Sequence, residues 1–248
     1  MPLPQSKTPP SDKLTDKTTL IYGPTKIGKS TFCSQAPQAL FLATEPGLKS
    51  LNTYEVSIGS WDEMLVACKE IASGGHQFSP IVIDTADNAF KFCADHVCGK
   101  QGVTHQADLP YGKGHALVNN EFQRVLNKLA ALPYGLILVS HSMEKEIDSS
   151  TGKYNRTVPT MPEGARKIIL GMADMVLFCD IEMVDAPDGS KMPRRVIRTK
   201  PNKYYEAGDR TGRLPETIDL DFAKFSEAFK GNGAVPVPIP KHQPAIRI

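Results

Sequence analysis

The chain has 248 residues, 40% hydrophobic and 23% charged, and 29 Lys and Arg against 27 Asp and Glu give a formal charge of +2. This near-even balance excludes a uniformly basic DNA-coating protein, so contact with nucleic acid requires local clustering of charge. No apolar run approaches the ~20 residues of a membrane span, and residues 1–12, with four prolines, do not resemble a signal peptide. Five scattered cysteines indicate reduced thiols, so we expect a cytoplasmic protein without membrane contact.

Strand-sized apolar runs alternate with helix-length segments through most of the chain. We predict strands at 18–22, 39–43, 81–83, 136–140, 175–181 and 196–199, and helices at 29–36, 61–73, 86–99 and 114–132. This alternation predicts an α/β fold in which helices cover both faces of a mostly parallel sheet. Residues 144–163 show no sustained period, so we expect a long loop there.

The two ends of the chain differ in composition from the segment between them. Residues 1–17 mix Pro, Ser, Thr, Lys and Asp, and residues 231–248 contain the alternation Val-Pro-Val-Pro-Ile-Pro at 235–240. Both segments are predicted to be flexible tails. Residues 18–230 are then expected to form one domain.

A phosphate-binding motif follows the first predicted strand and opens the first predicted helix. The sequence fits G-x-x-x-x-G-K-[ST] at every fixed position. Glycines let consecutive backbone N–H groups point at a phosphate, and the helix N-terminus adds a favourable dipole. We expect Lys29 to reach the β- and γ-phosphates of ATP and Ser30 to bind Mg²⁺. The predicted nucleotide-binding residues are Gly23, Pro24, Thr25, Lys26, Ile27, Gly28, Lys29, Ser30 and Thr31.

The short apolar run at 81–83 ends in a carboxylate, Asp84. A buried strand that delivers an Asp in this way is suited to complete the magnesium site. The alternative is that Asp84 caps the following helix, a role that Asp87 is equally able to fill. Position 85 is Thr, so a carboxylate that activates water must come from another strand end.

Two further strand ends offer catalytic candidates at the sheet edge where open α/β sheets bind ligands. The run at 41–43 leads into Thr44-Glu45-Pro46-Gly47, and Glu45 is the candidate base for the water that attacks the γ-phosphate. The alternative for Glu45 is a solvated turn residue. The run at 136–139 leads into Ser140-His141-Ser142, where His141 either senses the γ-phosphate or caps a backbone group.

These motifs together resemble the RecA-type recombinase core, a P-loop NTPase fold. The stretches at 22–31, 81–88, 111–114, 139–146 and 205–210 are similar to small phage-encoded RecA-like ATPases, some of which are single-strand annealing proteins. The resemblance covers residues 18–230. It implies an ATP-hydrolysing protein that assembles on single-stranded DNA and promotes annealing or strand pairing, with ATP and Mg²⁺ as cofactors. Glu45 matches the catalytic glutamate, whereas His141 stands where recombinases usually have Gln.

The resemblance also implies where DNA binds. Residues 144–162 correspond to the second DNA-binding loop, which directly follows the sensor, and the segment at 112–114 falls near the first. Tyr154 is able to stack on a base. The implied DNA-binding residues are Lys113, Lys145, Lys153, Tyr154, Arg156, Arg166 and Lys167.

Residues 191–213 form the most basic segment, with eight Lys or Arg against two Asp or Glu. Such a concentration favours contact with phosphate. In RecA-type filaments two lysines near this point reach the nucleotide of a neighbouring subunit, and Lys200 and Lys203 match them approximately. Arg210 and Arg213 are competing candidates. A homo-oligomer, either a ring or a filament, is therefore implied, and a single-stranded-DNA-binding protein is a further implied partner.

Two other functions share the phosphate loop. A nucleoside or nucleotide kinase also needs an acceptor pocket and an arginine-rich lid, a role open to the basic segment at 191–213. A nucleotide-gated module that hydrolyses slowly is able to recruit a partner through the Pro-rich C-terminal segment.

Overall fold

A ten-stranded sheet forms the centre of the described structure, a computed structural model that describes residues 3, 5–7, 9, 11–149 and 152–231. The strands are β1 Thr18–Gly23, β2 Leu40–Ala43, β3 Tyr54–Ser57, β4 Ile81–Asp84, β5 Leu136–Ser149, β6 Gly152–Pro159, β7 Met175–Asp185, β8 Lys191–Arg198, β9 Gly208–Asp209 and β10 Thr217–Asp219. The helices are α1 Lys29–Ser34, α2 Trp61–Ser73, α3 Ala86–Lys100, α4 Lys113–Ala130, α5 Glu163–Met172 and α6 Phe222–Gly231, with 3-10 turns at Leu14–Asp16, Gln106–Asp108 and Pro110–Gly112.

The strand order is β10-β8-β7-β1-β5-β4-β2-β3, with β6 paired to β5 and β9 to β7. The strands from β7 to β3 along this order are parallel, whereas β8, β10, β6 and β9 pair antiparallel with their neighbours. The parallel strands place their carboxyl ends at one edge. That edge carries the loop after β1, the turn after β2 and the ends of β4 and β5.

Two apolar clusters cover the two faces of the sheet. On one face α2, α3, α4 and α5 bury side chains that include Trp61 and Phe122. On the other face α1 and α6 pack through Phe32, Phe225 and Phe229. A sheet buried on both faces explains why β1, β2 and β4 are continuous apolar runs rather than alternating ones. The prediction of an α/β fold with a mostly parallel sheet is confirmed.

The predicted loop at 144–163 is wrong. Most of it belongs to an antiparallel hairpin in which β5 continues past the sheet and pairs with β6 from Ser142 opposite Pro159 to Ser149 opposite Gly152. Beyond Ser142 both strands are mostly exposed or half-buried, so no apolar period of two marks them. The backbone ladder and cross-strand ion pairs such as Lys153 with Glu146 hold the hairpin instead. We call residues 142–159 the β5–β6 hairpin.

Several elements were not predicted from the sequence, namely β3, β6, β9, β10, α5 and α6. At the N-terminus, Leu14 packs against the cluster that contains α6, and the Lys17 carbonyl accepts a hydrogen bond from the Leu136 amide. The C-terminal segment predicted as a tail lies outside the described residues after Gly231. Among the helices of the described residues, none combines the length and the apolarity needed to cross a membrane.

Candidate functional site

The phosphate loop connects the carboxyl end of β1 to the first turn of α1. Gly28 precedes the helix with φ 113°, a conformation that side chains rarely adopt, and its carbonyl accepts the Phe32 amide. At Gly23 a Cβ atom would lie only 2.6 Å from the carbonyl oxygen of Cys179 on β7. Both glycines of the motif are therefore required by the path of the backbone.

Lys29 is buried on the inner side of this loop. Its Nζ donates to the carbonyl oxygens of Gly23 and Pro24 at 2.9 and 2.8 Å. Burial lowers the pKa of Lys29 below its ordinary value, and the Cys179 thiol and the Asp84 carboxylate act in the opposite direction. The ammonium is therefore held against the backbone of the loop, and its contact with the β- and γ-phosphates stays a prediction.

Ser30 and Asp84 meet as the sequence predicts. The Ser30 hydroxyl donates to Oδ2 of Asp84 at 2.6 Å, and Asp84 is almost fully buried at the end of β4. Burial raises the pKa of Asp84, and the bond from Ser30 opposes that rise. A hydroxyl and a carboxylate are hard oxygen donors of the kind that Mg²⁺ prefers, so the pair fits this cation.

The helix-capping alternative for Asp84 is wrong, since the N-cap of α3 is Thr85. The Thr85 side chain accepts from the Asn88 amide, and its backbone N–H donates to Thr44 Oγ1 at 2.7 Å. Thr44 Oγ1 donates in turn to the Thr85 carbonyl at 2.9 Å. These two hydrogen bonds between Thr44 and Thr85 join the ends of β2 and β4. The Asp84 carboxylate does not cap the helix and accepts from Ser30 instead.

Glu45 and His141, predicted from two different strand ends, lie next to each other. Oε1 of Glu45 is 3.4 Å from Nε2 of His141, and Oε2 accepts from Asn88 Nδ2 at 3.1 Å. The two side chains are 34% and 31% exposed, so solvent and substrate reach them. A carboxylate oriented by two partners and open to water is suited to act as a general base.

The backbone of His141 is tied to α3 and to the β5–β6 hairpin. Asp87 accepts from the Ser140 hydroxyl at 3.1 Å and from the His141 amide at 3.3 Å. The His141 carbonyl accepts from the Thr160 amide, which directly follows β6. Within the described residues, Nδ1 of His141 is buried without a hydrogen-bond partner. Its backbone contacts do not occupy the ring, so the capping alternative does not account for the side chain.

Sequence reasoning missed the supporting residues Thr44, Asp87 and Asn88. Thr44 precedes Glu45 directly, and Asp87 and Asn88 follow Asp84 by three and four residues. The polar residues at the carboxyl ends of these buried strands were the signal that could have identified them. It also missed a role for Arg195 at the phosphate loop. Nη1 of Arg195 on β8 donates to the Ile27 carbonyl at 3.2 Å. A cation of the same chain therefore stabilises the backbone of the phosphate loop.

The basic segment at 191–213 does not form one patch. Arg210 donates to the Gly171 carbonyl at the end of α5, and Arg213 pairs with Asp12. Lys200 lies 3.6 Å from the buried carboxylate of Asp209, and Arg194 lies 2.9 Å from Glu182. Lys203 is exposed, with Nζ 4.7 Å from the centre of the Tyr204 ring. In the structure the segment is therefore not one cluster, because the fold disperses these charges and pairs several of them. Contact of the segment with phosphate stays a prediction.

The residues implied in DNA binding have four different environments. Most of the hairpin and α5 cations have acidic partners: Lys145 and Lys167 with Glu163, Lys153 with Glu146, and Arg156 with Glu206. Arg166 is buried and donates to the Pro159 carbonyl, a placement that argues against a DNA contact. Lys113 is exposed at the start of α4, beside the fully exposed Tyr111. Tyr154 meets Tyr204 edge to face at 6.4 Å.

Comparison with known proteins bears on the phosphate loop and the sheet around it. Residues 15–211 match the family described as AAA domain. No curated protein matches the chain. The match spans more than half of the chain and includes Lys29, Ser30, Glu45, Asp84 and His141. The chain belongs to the AAA domain family and is a nucleotide-binding P-loop NTPase.

Proposed function

We propose that this protein hydrolyses ATP in an assembly on single-stranded DNA and promotes annealing or strand pairing. The observation that carries the proposal is the continuity of β5. The strand passes through the centre of the sheet beside β1, presents Ser140 and His141 at the nucleotide edge, and runs on without a break into the β5–β6 hairpin. A change at the γ-phosphate therefore has a direct structural route to an exposed surface.

Hydrolysis requires in-line attack of water on the γ-phosphorus. The water oxygen bonds to phosphorus while the bond from phosphorus to the bridging oxygen of ADP breaks, and Glu45 accepts the proton that water releases. Lys29 and the backbone N–H groups of the loop bind the phosphates. Ser30 and Asp84 would hold Mg²⁺, which when bound neutralises charge on the phosphates.

His141 links this chemistry to the hairpin. Its ring contacts Glu45, its amide is held by Asp87, and its carbonyl accepts from Thr160 at the end of the second hairpin strand. Both strands of the hairpin are thus attached at one residue beside the catalytic carboxylate. A shift of Glu45 or His141 towards bound ATP would move the base of the hairpin.

A DNA-binding surface is proposed at Tyr154 of the hairpin together with Lys203 and Tyr204, which follow β8. We call these three residues the Tyr154 platform. The Lys203 ammonium lies 4.7 Å from the Tyr204 ring centre and 6.0 Å from the Tyr154 ring centre. Aromatic rings that stack on bases, next to a cation for the backbone, bind single strands without reading sequence. The acidic partners of the other hairpin cations favour stacking over a purely electrostatic contact.

We propose that one subunit contributes a cation, Lys200 or Lys203, to the ATP site of its neighbour. Arg210 and Arg213 are engaged with Gly171 and Asp12, at the sheet edge where β1 and β7 begin, away from the phosphate loop. Lys203 is exposed and able to reach a neighbour, whereas Lys200 would first have to leave Asp209. We therefore propose Lys203 ahead of Lys200, on the ground of its exposure.

The test measures phosphate release from ATP with and without single-stranded DNA, followed by annealing of complementary strands. We expect DNA to bind and to stimulate hydrolysis, and Lys29→Ala to weaken nucleotide binding by about 10- to 150-fold, the loss of hydrogen bonds to a charged group. Lys100→Ala, at an exposed lysine on α3, is the matched control. Absence of both DNA binding and stimulation would contradict the proposal, and transfer of phosphate to a free nucleoside would indicate a kinase.

A mixing experiment tests the shared site. Lys29→Ala and Lys203→Ala are each expected to hydrolyse ATP slowly alone. In a mixture, the Lys29→Ala subunit supplies Lys203 to its neighbour, so part of the activity should return. Full hydrolysis by isolated monomers, unchanged on dilution, would rule out a cation supplied in trans.

A further inference from the structure

The side chain of Tyr22 connects the first strand of the sheet to a segment that follows β8. Tyr22 is the residue of β1 directly before Gly23, and it is fully buried. Its hydroxyl donates to the Glu206 carbonyl at 2.7 Å and accepts from the Glu206 amide at 2.8 Å. The Thr157 carbonyl is a second acceptor at 3.3 Å. Burial raises the pKa of Tyr22, so the hydroxyl keeps its proton and remains a donor.

Glu206 ends a segment, residues 202–206, that carries two members of the Tyr154 platform, Lys203 and Tyr204. This segment is attached to the second strand of the β5–β6 hairpin. The Thr157 amide donates to the Tyr204 carbonyl at 2.7 Å, and the Glu206 amide also donates to the Thr157 carbonyl at 3.3 Å. The position of the platform therefore depends on what holds Glu206.

Aromatic packing joins the same elements. The Tyr22 ring lies against Phe178 of β7 with the ring centres 5.1 Å apart, and Phe178 stacks on Tyr205 at 5.0 Å. Ring pairs at these separations stabilise a fold beyond the burial of their area. Tyr22→Phe retains the ring and removes the hydroxyl alone. This variant therefore separates the role of the hydrogen bonds from the role of the packing.

On its other side Tyr22 leads directly into the phosphate loop. The carbonyl of Gly23, the next residue, accepts from Nζ of Lys29 at 2.9 Å. In the proposed function Lys29 binds the phosphates of ATP, so nucleotide binding changes the hydrogen bonding of the residue that adjoins Tyr22. The Tyr22 side chain thus stands between a group that responds to ATP and the segment at 202–206.

We propose that Tyr22 is a positioning residue whose hydroxyl fixes the segment at 202–206 relative to the phosphate loop and thereby couples ATP binding to the Tyr154 platform. The coupling rests on the proposed function, whereas the placement of the segment does not. Coupling between two binding sites is reciprocal, since each ligand changes the affinity of the other by the same factor. Tyr22 sets this factor rather than either affinity alone.

The first arm of the test needs no DNA. It follows amide exchange of Thr157 and Glu206, residue by residue, in the unmodified chain and in Tyr22→Phe. We expect both amides to exchange about 2- to 12-fold faster in the variant, the range for loss of one hydrogen bond. The amide of Leu20, inside β1, should not change, which shows that the sheet is intact. Tyr54→Phe, at an exposed tyrosine on β3, is the matched control and should change none of the three.

The second arm measures binding of a fluorescent oligo-dT strand by anisotropy, with and without Mg²⁺ and a non-hydrolysable ATP analogue. In the unmodified protein we expect the analogue to tighten DNA binding by about 5- to 150-fold, the usual size of such coupling. In Tyr22→Phe this ratio should fall to about 1, the value for uncoupled sites. A uniform loss of DNA affinity cancels from the ratio. Tyr54→Phe should retain the full ratio.

Three results would overturn the proposal. Unchanged exchange of Glu206 and Thr157 in Tyr22→Phe would show that the hydroxyl does not hold the segment. A lower Tm in this variant with an unchanged ratio would show a role in stability alone. DNA affinity that does not respond to the analogue in the unmodified protein would show that there is no coupling to transmit.

Failure of the proposed function gives a different result, namely that the unmodified protein binds no DNA under any condition. The first arm then decides the proposal when it is repeated with the ATP analogue. The analogue should slow exchange of Glu206 in the unmodified chain and leave it unchanged in Tyr22→Phe. An equal response in both proteins would contradict the role of the hydroxyl.

Discussion

Nε2 of His141 lies 3.4 Å from Oε1 of Glu45, although the two residues are 96 positions apart and belong to different parts of the sheet. The contact exists because β2 and β5 both pair with β4, one on each side, so the strand ends before Glu45 and His141 stand at one edge. It joins the proposed base of hydrolysis to the strand that continues into the hairpin. The predictions below follow from this arrangement and from the packing around it.

Glu45→Gln should stop turnover without loss of ATP binding. The amide retains an oxygen for Asn88 but does not accept a proton from water, so we expect a rate lower by about 10²- to 10⁴-fold. Phosphate release and binding of a fluorescent ATP analogue measure the two effects. Glu227→Gln, at an exposed glutamate on α6, is the control. Unchanged turnover in Glu45→Gln would show that another group activates the water.

Asp84→Asn should stabilise the nucleotide-free protein and remove its response to Mg²⁺. Burial raises the pKa of Asp84, so the folded state binds the proton more tightly than the unfolded state does. The free energy of unfolding therefore falls as pH rises from the ordinary carboxyl pKa through the raised one, and the ionised form destabilises the protein at neutral pH. Asn still accepts from Ser30 but stays uncharged.

Thermal unfolding from pH 3 to pH 8 measures this effect. The Tm of Asp84→Asn should exceed that of the unmodified protein at neutral pH, and the difference should shrink as pH falls below the raised pKa. A difference that is constant over the whole range would show that ionisation of Asp84 carries no cost.

Gly23→Ala should destabilise the domain. The new Cβ would lie 2.6 Å from the carbonyl oxygen and 2.9 Å from the Cβ of Cys179, which is fully buried in β7. We expect a loss of about 1–3 kcal/mol in the free energy of unfolding, and a Tm lower by about 2–12 °C. Gly99→Ala on α3 has open space around its Cβ and should leave stability unchanged or raise it by up to about 1 kcal/mol.

Tyr154→Ala should weaken binding of single-stranded DNA by about 5- to 150-fold, the range for loss of one stacked base. The salt dependence of binding should stay unchanged, because no charge is removed. The control is Tyr111→Phe, at a fully exposed tyrosine beside Lys113. Tyr134 is not used because its ring contacts His76. DNA affinity that is equal in Tyr154→Ala and the unmodified protein would place the binding surface elsewhere.

The nucleotide site was largely predictable from the sequence. The phosphate loop is a contiguous motif, and Asp84, Glu45 and His141 each follow a short apolar strand. Parallel strands buried on both faces are continuous apolar runs whose ends are easy to locate. Because all such strands point the same way, the polar residues after them must converge, even though their order in the sheet was unknown.

Tertiary structure alone decided the features that depend on pairs distant in sequence. The β5–β6 hairpin has no apolar period because most of it faces water, and backbone pairing between its strands defines it. The charges at 191–213 look like one cluster in the chain, but Arg195 braces Ile27, Lys200 pairs with Asp209 and Arg213 with Asp12. The sequence thus determined which side chains stand at strand ends, since local burial sets that pattern. Which charges are free and which edge is open was decided by long-range packing, which no local pattern encodes.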